Sequence, residues 1–274
     1  MSPLHLALWI LLGSAAATWI ASLITHEHSW VDRIWSIVPL AYVWVFAAAA
    51  GPGNPRLTLM AILVTLWGLR LTFNFARKGG YARGGEDYRW AYLKKQMSRP
   101  LFELFNLLFI VVYQNGLLFL ITGPAYLAWR HPSALGWLDW LLAAGFLAAL
   151  TGETIADQQQ WNFQQSKKRE IAAGRTPSTR FVQTGLFRYA RHPNFFFEQA
   201  QWWLLFLMGC VAAGSLLQWV VIGPALLTAL FIGSTSFTEQ ISRERYPEYA
   251  QYQAQVSALI PWFRRGDGQL VSAQ

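Results

Sequence analysis

Two acidic residues, Glu153 and Asp157, stand four positions apart in the segment TGETIADQQ. Residues with this spacing lie on one face of a helix, so both carboxylates would project to the same side. Like charges held together in this way repel each other unless a ligand or a basic group bridges them. We therefore predict that the pair belongs to a hydrogen-bonding site for a polar ligand. The alternative is a solvated helix end.

A second group of polar residues stands directly before an aromatic, apolar segment. Arg188, Arg191 and His192 precede Pro193, a residue that suits the first turn of a helix. A helix N-terminus flanked by basic side chains is a suitable site for a phosphate, although these residues also fit an ordinary basic loop. Glu198 follows among Phe and Trp residues, where the helix dipole favours an acid but an unpaired carboxylate is costly.

The elements that must position these groups are membrane helices. Of the 274 residues, 54% are hydrophobic and only 13% are charged, whereas about 25% of residues are charged in soluble domains. A helix needs about 20 mostly apolar residues to cross a bilayer, and backbone groups in lipid must be paired. We predict an all-α membrane protein with seven transmembrane helices. The apolar runs are roughly residues 4–24, 34–50, 57–76, 104–127, 137–156, 195–213 and 216–235.

The basic residues fall mostly on one side of this arrangement. If the seven spans alternate, 19 of the 22 Lys and Arg residues share a side, Arg56 and Arg130 lie opposite, and Arg70 lies within a span. Cytoplasmic loops are enriched in Lys and Arg, so we predict an outer N-terminus and a cytoplasmic C-terminus. This asymmetry explains the net charge of +8 without a nucleic-acid partner. The single cysteine, Cys210, excludes a disulfide within the chain, and we predict no metal site.

We expect one membrane domain. The polar segment QQQWNFQQSKKREIAAGR should continue the fifth helix into the cytoplasm and end near Gly174 and Pro177. The Gly-rich basic segment at 76–90 is a weaker candidate for phosphate binding. The expected divisions of the domain at 1–274 are N-terminal helices with the first basic loop at 1–100, a cofactor-binding core at 101–263 and a disordered tail at 264–274.

The segment VQTGLFRYARHPNFFFEQAQWW resembles the steroid 5-alpha-reductase family, and more closely its bacterial branch of unassigned function. Asp157 and Arg180 also match that family, and YQAQVSALIPWF is similar to its closing Tyr, Ile-Pro and aromatic residue. The resemblance covers about residues 150–263 well and 60–263 loosely. The residues of the central motif are Gly185, Leu186, Phe187, Tyr189, Asn194, Phe195, Glu198 and Trp202.

The resemblance implies a seven-helix fold that takes NADPH from the cytoplasmic side. It implies hydride transfer to an activated carbon–carbon double bond of a lipid-soluble, steroid- or isoprenoid-like substrate. It also implies residence in a bacterial inner membrane. The expected cofactor-binding residues are Glu153, Asp157, Arg180, Arg188, Tyr189, Arg191, His192, Asn194, Glu198, Trp202 and Tyr252.

One position departs from the family pattern. Steroid-reducing members use an early Glu and a Tyr of the third span to polarise the substrate carbonyl, but Trp67 stands where that Tyr would be. Indole has one N–H donor and no acidic hydroxyl. The catalytic residues are therefore unassigned. Tyr113 and Tyr42 are candidates by membrane depth, and Asp32 is an early acid.

A second resemblance gives an alternative function. The Arg-His-Pro sequence, together with Glu239, Tyr249, Tyr252 and Pro261, is similar to isoprenylcysteine carboxyl methyltransferases. Those enzymes bind S-adenosylmethionine at the same end of a similar helical core. The His-Pro pair fits the methyltransferases better, while Asp157 and Arg180 fit the reductases better. A third alternative is a non-catalytic membrane scaffold or a transporter.

Overall fold

The computed structural model describes residues 1–177 and 179–264. Most of the predicted tail, from residue 265 onward, lies outside the described residues. The described chain is helical and contains no β-strand, and seven of its stretches are long and apolar enough to cross a membrane. They are Pro3–Thr25, Trp30–Gly53, Pro55–Arg77, Arg99–Arg130, Trp137–Ala172, Pro193–Ala213 and Trp219–Arg245. The prediction of an all-α protein with seven such helices is confirmed.

Several of these stretches consist of more than one helical segment. The α-helices of the described residues are α1 (Pro3–Thr25), α2 (Trp30–Ile34), α3 (Val38–Ala50), α4 (Pro55–Arg77), α5 (Tyr88–Gln96), α6 (Arg99–Phe105), α7 (Gln114–Leu120), α8 (Gly123–Arg130), α9 (Trp137–Ala172), α10 (Pro193–Ala213), α11 (Ile222–Arg245) and α12 (Tyr249–Gln255). Short 3₁₀ turns occupy Gly51–Gly53, Gly185–Arg188 and Trp219–Val221. A π-helix, Asn106–Tyr113, joins α6 to α7.

The helix limits differ from the predicted ranges where polar residues flank an apolar run. The second stretch begins at Trp30 instead of residue 34, and the fourth begins at Arg99 instead of residue 104. The fifth helix continues through its polar segment to Ala172, as predicted. Gly174 follows with φ +70°, a left-handed conformation that glycine adopts readily just after a helix.

The contacts within the chain group it into two compact units. Unit 1 consists of Met1–Phe146 and Trp202–Leu227, and unit 2 consists of Leu147–Gln201 and the chain from Thr228 onward. Helices α9, α10 and α11 each contribute residues to both units. The expected single domain at 1–274 stays a prediction.

Helix α3 is central to unit 1, because it packs against α1, α4, α7 and α8. Tyr42 and Phe46 of α3 are fully buried there. Gly68 lets α4 come close to α3, since an added Cβ would lie 2.3 Å from a Leu40 methyl group and 2.6 Å from the Ser36 carbonyl oxygen. Small residues permit such close helix packing in membranes.

The membrane-spanning helices also carry large apolar side chains on their outer surfaces. On α1, Trp9, Leu12 and Ile24 are 62%, 58% and 74% exposed, and on α4 Phe73 is 64% exposed. Exposed apolar area of this kind is unfavourable in water but suits contact with lipid. The protein is therefore an integral membrane protein whose outer apolar faces contact the bilayer.

A buried ion pair joins the starts of α4 and α9 in unit 1. The Arg56 Nε atom lies 2.6 Å from Asp139 Oδ1, and Nη2 lies 2.9 Å from Oδ2. Asp139 is fully buried and also accepts the Gly136 amide at 2.8 Å. Because both charges are out of solvent, each depends on the other for its stabilisation.

The glycine-rich loop after α4 is bonded to the loop after α1. The Arg33 guanidinium donates to the Gly80 carbonyl at 3.2 Å and to Glu27 at 2.5 Å. The same Glu27 accepts the Gly84 amide at 2.9 Å. The Gly80 carbonyl and the Gly84 amide of this loop, the weaker candidate for phosphate binding, are thus bonded to protein side chains.

Glu86 connects the same two loops. Its Oε1 atom accepts the His28 backbone amide at 2.6 Å, and the His28 ring and the Lys94 ammonium lie 3.2 Å from the carboxylate. Burial opposes ionisation of Glu86, but these hydrogen bonds and the Lys94 charge outweigh it and lower the pKa to about 2.

We predict that Asp139→Ala lowers the free energy of unfolding by about 3 kcal/mol, because it leaves Arg56 buried without its carboxylate. The measurement is SDS-induced unfolding of the purified protein in mixed micelles. Glu170→Ala removes a partly exposed carboxylate from the same helix, α9, and should change stability by less than about 1 kcal/mol. Equal losses in the two variants would contradict a stabilising role for the ion pair.

We also predict that Glu86 contributes to the free energy of unfolding and that this contribution is lost at acid pH. The folded pKa of about 2 lies below the ordinary value of 4.5, so the stabilisation is complete above pH 4.5 and declines as the pH falls towards 2. In Glu86→Gln this decline should be smaller than in the wild type, and the thermal midpoint at neutral pH should be lower. Thermal unfolding at stepped pH tests this, and identical pH profiles for the two proteins would refute it.

Candidate functional site

The predicted cofactor-binding residues are concentrated in unit 2. Trp202 is the exception, since it belongs to unit 1. The others come from α9, from the 3₁₀ turn and loop before α10, from the start of α10 and from α12. They are Glu153, Asp157, Arg180, Arg188, Tyr189, Arg191, His192, Asn194, Glu198 and Tyr252.

The Gly-Leu-Phe sequence forms the 3₁₀ turn and is fixed to α9. Gly185 has φ +63°, and an added Cβ would lie 2.4 Å from the Gln159 side chain. The Leu186 backbone amide donates to the side-chain Oε1 atom of Gln159 at 2.9 Å. Phe187 is buried against Ala156. Glycine is favoured at this turn by its left-handed backbone conformation.

The three predicted acids are all buried in unit 2. Glu153 and Asp157 of α9 are 2% and 4% exposed, and Glu198 of α10 is 7% exposed. The Gln201 amide donates to Glu153 at 2.7 Å. Close packing of α10 on α9 depends on Gly152, because an added Cβ would lie 2.6 Å from the Phe197 ring. The Glu153–Asp157 pair therefore lies inside the protein and is not a solvated helix end.

Glu239 of α11 is the centre of a polar cluster that we call the Glu239 cluster. Arg191 makes a bidentate pair with its carboxylate, with Nε at 2.5 Å and Nη2 at 2.9 Å. His192 Nε2 lies 3.0 Å from the same carboxylate, and the Gln253 amide donates to it at 2.7 Å. The Tyr249 hydroxyl donates to it at 3.4 Å. Glu239 is 6% exposed, so the cluster supplies a buried carboxylate with hydrogen bonds and an opposite charge.

The donors at the start of α10 are used within the protein. The Arg191 guanidinium also donates to the carbonyls of Gln253, at 3.0 Å, and Val256. The Arg191 and His192 amides donate to the carbonyls of Ser257 and Ala258 at 2.8 and 3.0 Å. The segment after α12 thus occupies the donors that the sequence indicated for a phosphate. That Arg191 and His192 contact a cofactor stays a prediction.

Other predicted residues are more exposed. Arg180 is half exposed, and its Nε atom lies 3.7 Å from Glu248. Arg188 and Tyr189 are exposed, and Asn194 is partly buried in the first turn of α10. Arg180 and Arg188 are therefore accessible to a soluble ligand.

Tyr252 has a structural contact. Its hydroxyl donates to the Phe187 carbonyl at 2.5 Å, which fastens α12 to the 3₁₀ turn. Burial raises the pKa of Tyr252 and that of Tyr249 well above the ordinary value for tyrosine. Both hydroxyls are protonated at neutral pH and act as hydrogen-bond donors.

A cavity of about 400 Å³ adjoins the Glu239 cluster within unit 2. Its wall consists of Arg191, residues 253–257, Ile260, Trp262 and Phe263. Ligand pockets commonly have volumes of about 300–1,000 Å³. The aromatic wall can accept a flat ring by stacking.

Buried oxygen atoms of unit 2 that have no hydrogen-bond partner among the described residues include Gln183 Oε1, Gln201 Oε1 and Thr235 Oγ1. Thr235 stands one helical turn from both Phe231, which contacts Phe195, and Glu239, so it lies on the face of α11 directed to α10. A buried polar group without a partner costs about 1–3 kcal/mol, which a hydrogen-bonding ligand would offset.

The candidate proton donors lie in unit 1. Tyr113 donates its hydroxyl to a backbone carbonyl of α11 at 3.1 Å, and Asp32 accepts an indole N–H at 3.3 Å. Tyr42 is fully buried. Trp67 and Trp202 pack edge to face with ring centroids 4.8 Å apart, and neither indole N–H has an acceptor among the described residues. The catalytic role of Tyr113, Tyr42 or Asp32 stays a prediction.

From the sequence alone, Glu239 was indicated only through the methyltransferase resemblance, and Gln253 and Thr235 were not indicated as site residues. Glu239 lies just beyond the predicted apolar run 216–235, so it did not stand out as an ionisable residue within a span. Gln253 and Thr235, which are not ionisable, carry no such signal. Their positions follow from the packing of α11 and α12.

Comparisons with known proteins identify a family of unknown function. A family model described as "Protein of unknown function (DUF1295)" matches residues 18–256. The "Uncharacterized protein C594.04c" of Schizosaccharomyces pombe is 37% identical over 258 residues, which cover 89% of this chain and 75% of that protein. No solved structure matches the chain.

We predict that Glu239→Ala loosens the segment after α11, because Arg191 and His192 lose their carboxylate. Stability should fall by about 3 kcal/mol, the usual cost of breaking a buried pair. Hydrogen–deuterium exchange of residues 249–263 should rise. Glu244→Ala removes an exposed carboxylate from the same helix and should leave that exchange unchanged. Normal protection of residues 249–263 in Glu239→Ala would show that the cluster does not hold the segment.

Proposed function

The chain belongs to the DUF1295 family, and we propose that it is a membrane-embedded NADPH-dependent reductase. Its reaction would be hydride transfer to an activated carbon–carbon double bond of a lipid-soluble, steroid- or isoprenoid-like substrate. The family is related to the steroid 5-alpha-reductase-like group, which supports this reaction type. The motif residues from Gly185 to Trp202 support it further.

The observation that carries the proposal is the polar interior of unit 2. Buried Asp157 and Glu198 offer carboxylate oxygens, which suit the hydroxyl groups of a ribose. Gln201 and Thr235 contribute buried oxygen atoms without described partners. A carboxamide or a further hydroxyl group of a nucleotide would satisfy them. The residues present therefore fit the neutral and hydroxylated parts of NADPH.

The charged part of the cofactor needs cations. Arg180 and Arg188 have accessible guanidinium groups, which bind phosphates well. The cavity with Trp262 and Phe263 in its wall offers an aromatic surface for a base. In this assignment the cytoplasmic ends of α9 and α10 hold the nucleotide, in agreement with the proposed orientation of the basic loops.

Bound NADPH supplies the hydride, and the protein supplies binding, orientation and exclusion of water. The carboxylates of Asp157 and Glu198 would orient the cofactor through its hydroxyl groups. The group that delivers the proton is unassigned, and Tyr113, Tyr42 and Asp32 are its candidates.

A second function, an S-adenosylmethionine-dependent methyltransferase, is favoured by one observation. His192 and Tyr249, which share the methyltransferase resemblance with Glu239, both bond to the Glu239 carboxylate in the Glu239 cluster. The cofactor would then be a nucleoside without phosphate groups. The two functions differ in their need for the accessible arginines.

We predict that the detergent-purified protein binds NADPH in isothermal titration. Asp157→Ala and Asn194→Ala should each weaken this binding by about ten- to a hundredfold, the loss expected from one or two hydrogen bonds to a charged or buried group. S-adenosylmethionine is titrated in parallel. Preferential binding of S-adenosylmethionine would replace the first function by the second, and binding of neither cofactor would favour a non-catalytic protein.

The matched control is Asn162→Ala, which removes an exposed amide from the same helix as Asp157. It should leave the NADPH affinity unchanged. If Asp157→Ala, Asn194→Ala and Asn162→Ala all bind NADPH like the wild type, the cofactor assignment fails.

A further inference from the structure

A second cavity, which we call the His28 cavity, lies within unit 1. Its volume is about 400 Å³. It is separate from the residues assigned to the cofactor, and its wall is rich in groups that can be positively charged. The residues used below are His26, His28, Lys94, Arg99, Phe102 and Glu103.

The imidazole of His28 is held rigidly at the wall of this cavity. His28 is 4% exposed, its Nδ1 atom lies 3.2 Å from Glu86, and its ring packs edge to face on Phe102 with centroids 4.9 Å apart. With Glu86 as the acceptor for Nδ1–H, the other nitrogen is available to the cavity. Its distance to Glu103 is 3.9 Å, too long for a direct hydrogen bond. In the imidazolium form that nitrogen is a hydrogen-bond donor.

Two permanent cations complete the wall. The Lys94 ammonium lies 5.6 Å from the Phe102 ring centroid and 3.4 Å from the His26 carbonyl oxygen, so it is held beside the cavity. Arg99 is exposed at the start of α6. His26 has φ +57°, an unusual left-handed conformation for a residue other than glycine. Two acids oppose these groups: Glu103 in the cavity wall, and Glu86 behind it, whose carboxylate lies 3.2 Å from the Lys94 ammonium.

The cavity lies at the ends of membrane-spanning helices. His26 follows α1, and Arg99 begins the fourth membrane-spanning stretch. The apolar residues next to the wall face outwards, since Ile24 is 74% exposed and Leu101 and Leu104 are each 53% exposed. An amphiphile with its anionic group in the cavity would have its acyl chains beside these residues.

We propose that the His28 cavity binds the phosphate group of an anionic phospholipid. Lys94, Arg99 and protonated His28 contact the phosphate, and the acyl chains lie along the outer faces of α1 and α6. Basic pockets between membrane helices bind lipid head groups in this way. The lipid joins the end of α1 to the start of α6. This site does not depend on the proposed reductase function.

Native mass spectrometry of the detergent-purified protein tests the proposal. The probes are dioleoylphosphatidylglycerol and dioleoylphosphatidylcholine, whose head groups differ in net charge. The wild type should prefer the phosphatidylglycerol. Arg99→Gln should reduce that affinity about fivefold, the effect of one cation near a membrane phosphate. Phosphatidylcholine binding should not change.

The matched control is Lys95→Gln, because Lys95 is exposed on α5, next to Lys94 but outside the cavity wall. The same charge is lost, yet phosphatidylglycerol affinity should stay close to that of the wild type. Equal losses in Arg99→Gln and Lys95→Gln would indicate general surface attraction and overturn the site. In a last experiment, inorganic phosphate at millimolar concentration is added to the protein bound to phosphatidylglycerol. If it displaces the phosphatidylglycerol, the site takes soluble phosphate and the lipid assignment is overturned.

Discussion

The buried carboxylate of Glu239 is the interaction on which the organisation of unit 2 depends. An ionised group with 6% exposure is stable only when charges and hydrogen bonds replace its lost water. Glu239 obtains these from Arg191 and His192, which precede α10, and from Gln253 and Tyr249 of α12. One carboxylate thereby fixes the start of α10 and the position of α12 on α11. The position of the 3₁₀ turn is then also fixed, because Tyr252 of α12 donates its hydroxyl to the Phe187 carbonyl of that turn.

The architecture could be predicted from the sequence wherever a local property determines it. The length of each apolar run predicts the seven stretches, and the polar segment that ends at Gly174 predicts the extension of α9. The break between α2 and α3 and the π-helix Asn106–Tyr113 were not predicted. Both lie inside apolar runs, where hydropathy is uniform and carries no information about the hydrogen-bonding pattern. Packing against neighbouring helices decides the pattern there.

For the candidate site, the shared face of the acids could be predicted from the sequence, but the pairing of Arg191 could not. The spacing of Glu153 and Asp157 is local, and the structure places both on a buried face of α9. The use of Arg191 depends on Glu239, 48 positions away, and no short-range pattern encodes that pairing. Basic residues before a helix look alike whether they bind a phosphate or a protein carboxylate. The distinction requires knowledge of which chain segment covers the helix start, here the residues after α12.

This distinction bears on the choice between the two proposed cofactors. Because Arg191 is committed to Glu239 and to backbone carbonyls, a dinucleotide on unit 2 would depend on the accessible Arg180 and Arg188 for its phosphates. The buried acids and the Gln201 and Thr235 oxygens suit ribose and amide groups, which both cofactors can offer in part. S-adenosylmethionine has no phosphate and would leave the two arginines unused. The accessible arginines are therefore the feature that favours a phosphorylated nucleotide. The Glu239 cluster stabilises unit 2 in the same way for either cofactor.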